Sequence, residues 1–486
     1  MKKLATAFLL FCSVAALAQK KTSPKITPGY EIKVTLKPFK NQYIYLGHYY
    51  GKQLPIIDSV KLNEKSEAVF KGPKPLGGGI YLIGFPDRSN RFEFLVGKEQ
   101  KFSIQADTTD LARISFTGSA ENTAFKAYQD FMIRNGKAME SLHRRRAGAP
   151  AADSVKLTAQ IDSISKNVLT YRTDILAKDP NGLLSSLLRA MREPEVPNNP
   201  EAVKRDSLYA YKYFKGHYWD GVNFWDDRLA RTPFFEGRID KYYEQLVYPS
   251  ADSVIKELDW MLGYASASDE MQKFLLLKFV NRYLNQKYMW EDAVFVHLFE
   301  KWFSQKSYPW LTDKGKKMIT DRAYSLMANI MGSPAAEIEL PDSTGKKVNL
   351  YGVESPYTVV AIYDPTCGHC KETLPRMDTM YQARWKDMGV KVFAMAKQTE
   401  NVKQQDWLDF MAKFGLKEWV HVWYSKEAEQ ARISANIPSY AQLYDVQSFP
   451  TLYLLDKDKR IIAKKVTEKQ VDEILAQRVS KAKGQN

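Results

Sequence analysis

The run Val359-Val360-Ala361-Ile362-Tyr363, followed at once by Asp364-Pro365-Thr366 and then by Cys367-Gly368-His369-Cys370, constrains this chain more than any other stretch. Consecutive apolar residues ending in a turn signal read as a short strand buried on both faces. The pattern after the turn is helical, so the two cysteines stand one turn apart at the start of a helix. A pair at i and i+3 can close into a small disulfide ring and reopen. The first sulfur also lies where unpaired backbone N–H groups and the positive end of the helix dipole favour a thiolate. Such a strand–turn–helix suits thiol–disulfide chemistry.

The cysteine count sharpens this reading. Among 486 residues there are three cysteines, and Cys12 falls in a segment that reads as an export signal. Lys2-Lys3 precedes a mostly apolar stretch over 4–17, and Ala16-Leu17-Ala18 supplies the small residues for a cut after Ala18. Removing 1–18 as a signal peptide leaves Cys367 and Cys370 as the single pair, with no structural disulfide framework. Zinc would need two further ligands, and no second cysteine pair or close histidine pair offers them, so neither metal nor cofactor is expected. The formal charge of +15 comes from lysines scattered among acidic residues rather than from a basic block, which argues against a nucleic-acid partner. No later stretch offers ~20 uninterrupted apolar residues, so the mature chain is expected in the periplasm or cell envelope without spanning a membrane.

A chain this long calls for several domains. Over 29–118 the pattern is of short alternating stretches, at 30–36, 42–46, 67–70, 79–84, 91–96 and 101–105, separated by turns such as Lys71-Gly72-Pro73. This predicts an N-terminal antiparallel β-sandwich, assigned to 19–119. From Ala124-Phe125 helical spacing takes over and predicts a central all-α domain over 120–331, with a loop over 147–153 ending in Asp153 as an N-cap. The aromatic and aliphatic stripe over 254–303 is read as helix–helix core, and the isolated His48, His143, His217 and His297 are assigned no ligand role. Beyond Gly332-Ser333-Pro334, strands alternate with helices and a last hairpin precedes a C-terminal helix, predicting a mixed α/β domain over 332–486.

With these residues in view the C-terminal part resembles the thioredoxin superfamily, specifically exported thiol–disulfide oxidoreductases of the TlpA/ResA type. The resemblance rests on Gly332-Ser333-Pro334, the hairpin turn over 342–346, Asp364-Pro365-Thr366-Cys367-Gly368-His369-Cys370-Lys371, Pro375, and Phe449-Pro450-Thr451. More weakly, Gly118-Ser119-Ala120-Glu121-Asn122, the stretch 228–233 and Trp290-Glu291-Asp292 resemble the N-terminal β and helical modules of multi-domain Bacteroidota forms. The resemblance implies a thioredoxin fold for 332–486 and a redox-active disulfide between Cys367 and Cys370. It implies Cys367 as nucleophile and Cys370 as the resolving thiol, with Phe449, Pro450 (a cis proline) and Thr451 as the substrate-binding turn. Gly368 and His369 between the sulfurs tune the redox pair, a protonated His369 favouring the Cys367 thiolate. Relatives often carry an acid three residues after the second cysteine or six before the first. Here those positions are Thr373 and Ala361. Asp364 and Glu372 are therefore the candidate proton relays, Glu372 standing about 100° round the helix from Thr373.

The resulting expectation is an envelope thiol–disulfide oxidoreductase acting on protein disulfides or thiols and served by a membrane or envelope thiol donor. Two alternatives remain beside it. One is an envelope interaction protein with a secondary redox domain, since so much of the chain lies outside 332–486. The other is a thiol-dependent peroxidase.

Overall fold

The computed structural model describes residues 29–110 and 113–484, and the expected signal segment with Cys12 lies outside them. The chain divides into two compact units, one ending at Gly237 and the other beginning at Arg238. The helical stretch over 120–331 is therefore shared between the two.

The first unit opens with β1 (Tyr30–Lys37), β2 (Tyr43–His48), β3 (Ile56–Lys61), β4 (Glu67–Gly72), β5 (Gly79–Gly84), β6 (Arg91–Val96), β7 (Lys101–Asp107) and β8 (Ser115–Thr117). They form two four-stranded sheets, ordered β4-β1-β7-β8 and β3-β2-β5-β6. Alternation turns Ile32, Val34 and Leu36, and likewise Phe102 and Ile104, inward to meet Ile44, Leu46, Phe92 and Phe94 in one sandwich core. One pairing departs from the antiparallel expectation: β1 and β7 run parallel, with Ile32 opposite Phe102. The five intervening strands supply the long crossover that parallel neighbours need.

Helices complete this unit. Ser119 caps α1 (Ala120–Ala147) by accepting from the Asn122 N–H. The buried Asn122 side chain accepts from the Leu95 N–H at 2.6 Å and donates to the Leu95 carbonyl at 2.8 Å, tying α1 to β6. The next helix, α2 (Ala151–Lys178), packs on α1 through Leu142, Leu157 and Ile161. Its N-cap is Pro150, so Asp153 lies inside the first turn instead of capping it. Proline's fixed φ suits a helix start, and the Asp153 charge still complements the dipole there. The short α3 (Leu183–Met191), α4 (Pro200–Arg205) and α5 (Tyr209–His217) follow, and the division between units falls within α6 (Phe235–Lys241).

The second unit begins with α7 (Ala251–Ala265), α8 (Asp269–Leu284), α9 (Glu291–Leu298) and α10 (Asp313–Met327). Leu258, Met261 and Leu262, with Leu275, Leu276 and Phe279, are buried at helical spacing, so the stripe is packing core. A hairpin of β9 (Glu339–Pro341) and β10 (Lys347–Asn349) leads into β11 (Tyr357–Tyr363), β12 (Val390–Lys397), β13 (Val420–Tyr424), β14 (Thr451–Asp456) and β15 (Ile461–Lys464). These five form one sheet ordered β13-β12-β11-β14-β15, parallel across the first three strands and antiparallel across the last two pairings. Its helices are α11 (Gly368–Met380), α12 (Gln404–Phe414), α13 (Lys426–Ser434), α14 (Tyr440–Leu443) and α15 (Glu468–Gly484).

Alternate residues of β11 serve two cores. Val359, Ala361 and Tyr363 pack with Cys370, Leu374, Trp407 and Leu475 on one face, while Val360 and Ile362 pack with Tyr444 and Tyr453 on the other. Covering on both faces is why this strand is apolar almost throughout.

Within the same unit the helical segment is bolted to the sheet. Lys464 at the end of β15 is 2 % exposed, and its Nζ donates to Asp292 Oδ2 and to the carbonyl and Oδ1 of Asn329, at 2.5 and 2.9 Å for the latter two. The Lys464 N–H reaches Met289 Sδ at 3.3 Å, and Met289 packs against the core that holds Cys370. Arg322 on α10 meets the buried Asp445 carboxylate at 2.6 Å, which Lys465 also pairs with.

Candidate active site

β11 ends at Tyr363, and the turn that follows is built by Asp364. Its Oδ1 accepts from the Thr366 N–H and hydroxyl, each at 2.7 Å, and from the Cys367 N–H at 3.2 Å. Its Oδ2 accepts from the Thr399 hydroxyl at 2.6 Å, just beyond β12. Burial alone would raise the Asp364 carboxyl pKa, but these donors outweigh it and hold the group below the ordinary carboxylate range. Both oxygens are thus engaged in shaping the turn. Thr399 had no signal in the sequence, because only strand pairing brings the end of β12 beside Asp364.

The turn delivers Cys367 as the N-cap of α11, with extended backbone at ψ 129°, so the helix begins at Gly368. Cys367 is half-buried, whereas Cys370, one turn on, is 0 % exposed. Cys367 Sγ lies 3.8 Å from the Phe449 carbonyl oxygen. The Phe449–Pro450 peptide is cis, and Thr451 pairs with Ile362, which sets Pro450 alongside the end of β11. Thr451 is buried and donates to the Ser448 carbonyl at 2.6 Å. The two sulfurs, Asp364 and the Phe449-Pro450 turn therefore share one corner of the sheet.

The remaining sequence candidates are not enclosed with the buried sulfur. Gly368, His369 and Glu372 are exposed, and Thr373 is half-exposed. Burial pushes the Cys370 thiol pKa far up; the Asp364 backbone N–H pulls it down, while Cys367 pushes it further up. The pair thus consists of an accessible sulfur at a helix start and a protonated sulfur beneath it. That asymmetry leaves one sulfur of the pair open to approach and the other enclosed.

Comparison with known proteins finds similarity to three stretches of the chain. Residues 331–464, which contain both cysteines, match the model of the AhpC/TSA family. Residues 30–125 and 155–329 match two domains of unknown function, DUF4369 and DUF5106 respectively. The thiol–disulfide oxidoreductase ResA of Bacillus thuringiensis is 22% identical over 144 residues, covering 30% of this chain and 74% of the relative. ResA of Bacillus cereus is 23% identical over 145 residues, with the same shares covered. A solved thioredoxin-like protein from Bacteroides caccae is 20% identical with a TM-score of 0.41, covering 59% of this chain and 97% of that one. The chain thus joins two matched N-terminal regions to a C-terminal thioredoxin-like domain that matches the AhpC/TSA family and is similar to thiol–disulfide oxidoreductases of the ResA type.

Proposed function

We propose that this protein exchanges disulfides with protein substrates in the cell envelope, with Cys367 as nucleophile and Cys370 as resolving thiol. The observation that carries the reading is the placement of one half-buried cysteine at the start of α11 and one fully buried cysteine a turn below it, beside a cis proline. The Cys367 thiolate attacks a substrate disulfide, forming one S–S bond and releasing one substrate thiolate. Cys370, once deprotonated, attacks Cys367 Sγ. The Cys367–Cys370 bond then forms, the mixed disulfide breaks, and the electron pair leaves on the second substrate sulfur, which takes up a proton. The substrate is reduced and the dithiol oxidised; the reverse sequence oxidises a substrate dithiol. A dithiol donor of the envelope membrane regenerates the reduced pair in the first direction. An extended substrate segment lies against the backbone of the Phe449-Pro450-Thr451 turn, next to Cys367. No helix among the described residues is long and apolar enough to cross a membrane, and delivery to the envelope is assigned to the segment 1–18.

The test is reduction of an insulin disulfide by dithiothreitol with the chain as catalyst, together with trapping. Cys370→Ser should accumulate covalent, reductant-sensitive adducts with envelope proteins, and Cys367→Ser should neither trap nor catalyse. Equal catalysis by Cys367→Ser would remove this reading.

A further inference from the structure

The mechanism requires a thiolate at Cys370, and the fold buries that sulfur without a free carboxylate beside it. Ala361 contributes only a methyl group, Glu372 is exposed, and both oxygens of Asp364 are engaged by donors of their own. Polar groups in the surrounding core are left without partners, and one of them stands on β11 itself. The hydroxyl of Tyr363 is fully buried and has no hydrogen-bond partner. A buried polar group left without a partner is costly in an apolar core and calls for an explanation.

Tyr363 is two residues beyond Ala361 on β11, so both side chains point to the face of the sheet that α11 covers. On that face Tyr363 shares one core with Cys370, Leu374, Trp407 and Phe410, its ring 5.2 Å from that of Phe410. Trp407 Nε1–H is also buried and unpartnered, and it is the polar side chain that acts on the Tyr363 oxygen, without reaching hydrogen-bond geometry. An indole can only donate, so even a closer approach of its N–H would leave the phenol's own hydrogen uncommitted. Tyr363 and Cys370 are thus buried in one continuous core, with the phenol at the end of the strand that α11 covers. Among the described residues, the titratable groups acting on Cys370 are Cys367 and Asp364, and Tyr363 shares its core from the strand below.

We propose that Tyr363 is the donor for the resolving thiolate: its hydroxyl turns to Cys370 Sγ when the proton leaves, with the Trp407 N–H supporting it from behind. In the thiol state the phenol waits without a partner, and in the thiolate state it makes a charge-assisted hydrogen bond. Stabilisation is confined to the ionised form of Cys370, so the resolving step gains and the first attack by Cys367 does not. The balance of the step is that given above, with the Cys370 proton passing to solvent and the departing substrate sulfur taking one up. This inference rests on the proposed roles of the two cysteines.

Tyr363→Phe removes one oxygen and keeps the ring, so the packing test and the chemical test can be separated. In the full chain, Cys367 is first converted to a mixed disulfide with a chromogenic aryl thiol, and release of that thiol by Cys370 is followed against pH. The expected result is release about tenfold slower in Tyr363→Phe, with the profile moved to higher pH by about one unit. Formation of the mixed disulfide, measured in a Cys370→Ser background, should not change. Unchanged release with an unchanged pH profile would overturn the proposal, as would equal slowing of both steps, which marks a structural role. A second measurement is independent of turnover. In Cys367→Ser protein, the Cβ chemical shift of labelled Cys370 reports its titration, and Tyr363→Phe should move that titration to higher pH. If the wild-type chain forms no mixed disulfide, the thiol-exchange reading fails, while this titration still decides whether Tyr363 addresses Cys370.

Discussion

Replacing Asp292 with alanine asks whether the helices of the second unit and its sheet are one cooperative structure. Asp292 and Lys464 have side chains 4% and 2% exposed, and they meet across the join between α9 and β15. Burial raises the Asp292 carboxyl pKa and lowers that of the Lys464 ammonium, so both charges are held in the interior against their desolvation. Without Asp292 the ammonium keeps only the two oxygens of Asn329. Breaking a buried pair from one side costs about 3–5 kcal/mol, because an uncompensated charge stays behind. For a unit of this size each kcal/mol lowers Tm by about 2–4 °C, so a fall on the order of 10 °C is expected. Cys370 supplies a local reporter, since its sulfur is fully buried in the sheet's core. In Asp292→Ala it should become open to alkylation at clearly lower urea than in the parent chain, although Asp292 lies on a helix outside the sheet. The paired replacement Asp292→Leu with Lys464→Met removes both charges and should recover most of the loss. A single variant that melts within about 1 °C of the parent and protects Cys370 equally would refute the coupling. Equal instability of the single and paired variants would refute the electrostatic account of it.

Other outcomes follow from the same interior. Asp364→Ala should lower stability by about 1–3 kcal/mol and slow disulfide exchange, because it frees the Thr366 and Cys367 N–H groups that fix the turn. The Asp364 carboxyl sits below its ordinary range, so this stabilisation is full above pH ~4 and is lost as pH falls through the lower folded value. Urea titrations of the two proteins should therefore converge in strong acid. Burial pushes the His421 pKa down to about 4 while its Nε2 bonds the Leu416 carbonyl at 2.6 Å. The unfolded chain takes up a proton there that the folded chain refuses, so stability should fall as pH drops from 6.5 toward about 4, by up to about 3 kcal/mol. His421→Phe should flatten that slope.

What the sequence disclosed depended on how local the determining physics was. The strand at 357–363, the cysteine helix and the alternation of strands and helices beyond 332 were legible because each is written in consecutive residues. β3 was not legible: its pattern over Ile56–Lys61 leaves Ile56 and Ile57 exposed at 53% and 43%, so no buried alternation marks it. The parallel pairing of β1 with β7 depends on register between strands some seventy residues apart, which no local pattern records. At the candidate site the two cysteines and the Phe449-Pro450 turn carry their chemistry in their residue types. Lys464 looks like a surface lysine in sequence, and its partner Asp292 stands 172 positions away. The hydroxyl of Tyr363 did leave a trace, as the one polar atom ending an apolar strand. That this hydroxyl is buried without a hydrogen-bond partner is visible only in the folded core.

The covered end of β15 bears on how a polypeptide can be recognised. A sheet edge ordinarily offers free N–H and C=O groups to any extended chain that approaches it. On this edge the Ile461 N–H donates to Ser333 at 2.9 Å and the Ile461 carbonyl accepts from Gly332 at 2.8 Å, while the Lys464 N–H is taken by Met289. Lys464 also turns its charge inward, a placement that penalises a strand docking alongside. The Gly332-Ser333 entry segment and Met289 thus cover this flank, closing it to strand addition by another extended chain. Under the proposed function, main-chain recognition by the proline turn would bring strand pairing and thiol exchange to the same place, beside the accessible sulfur.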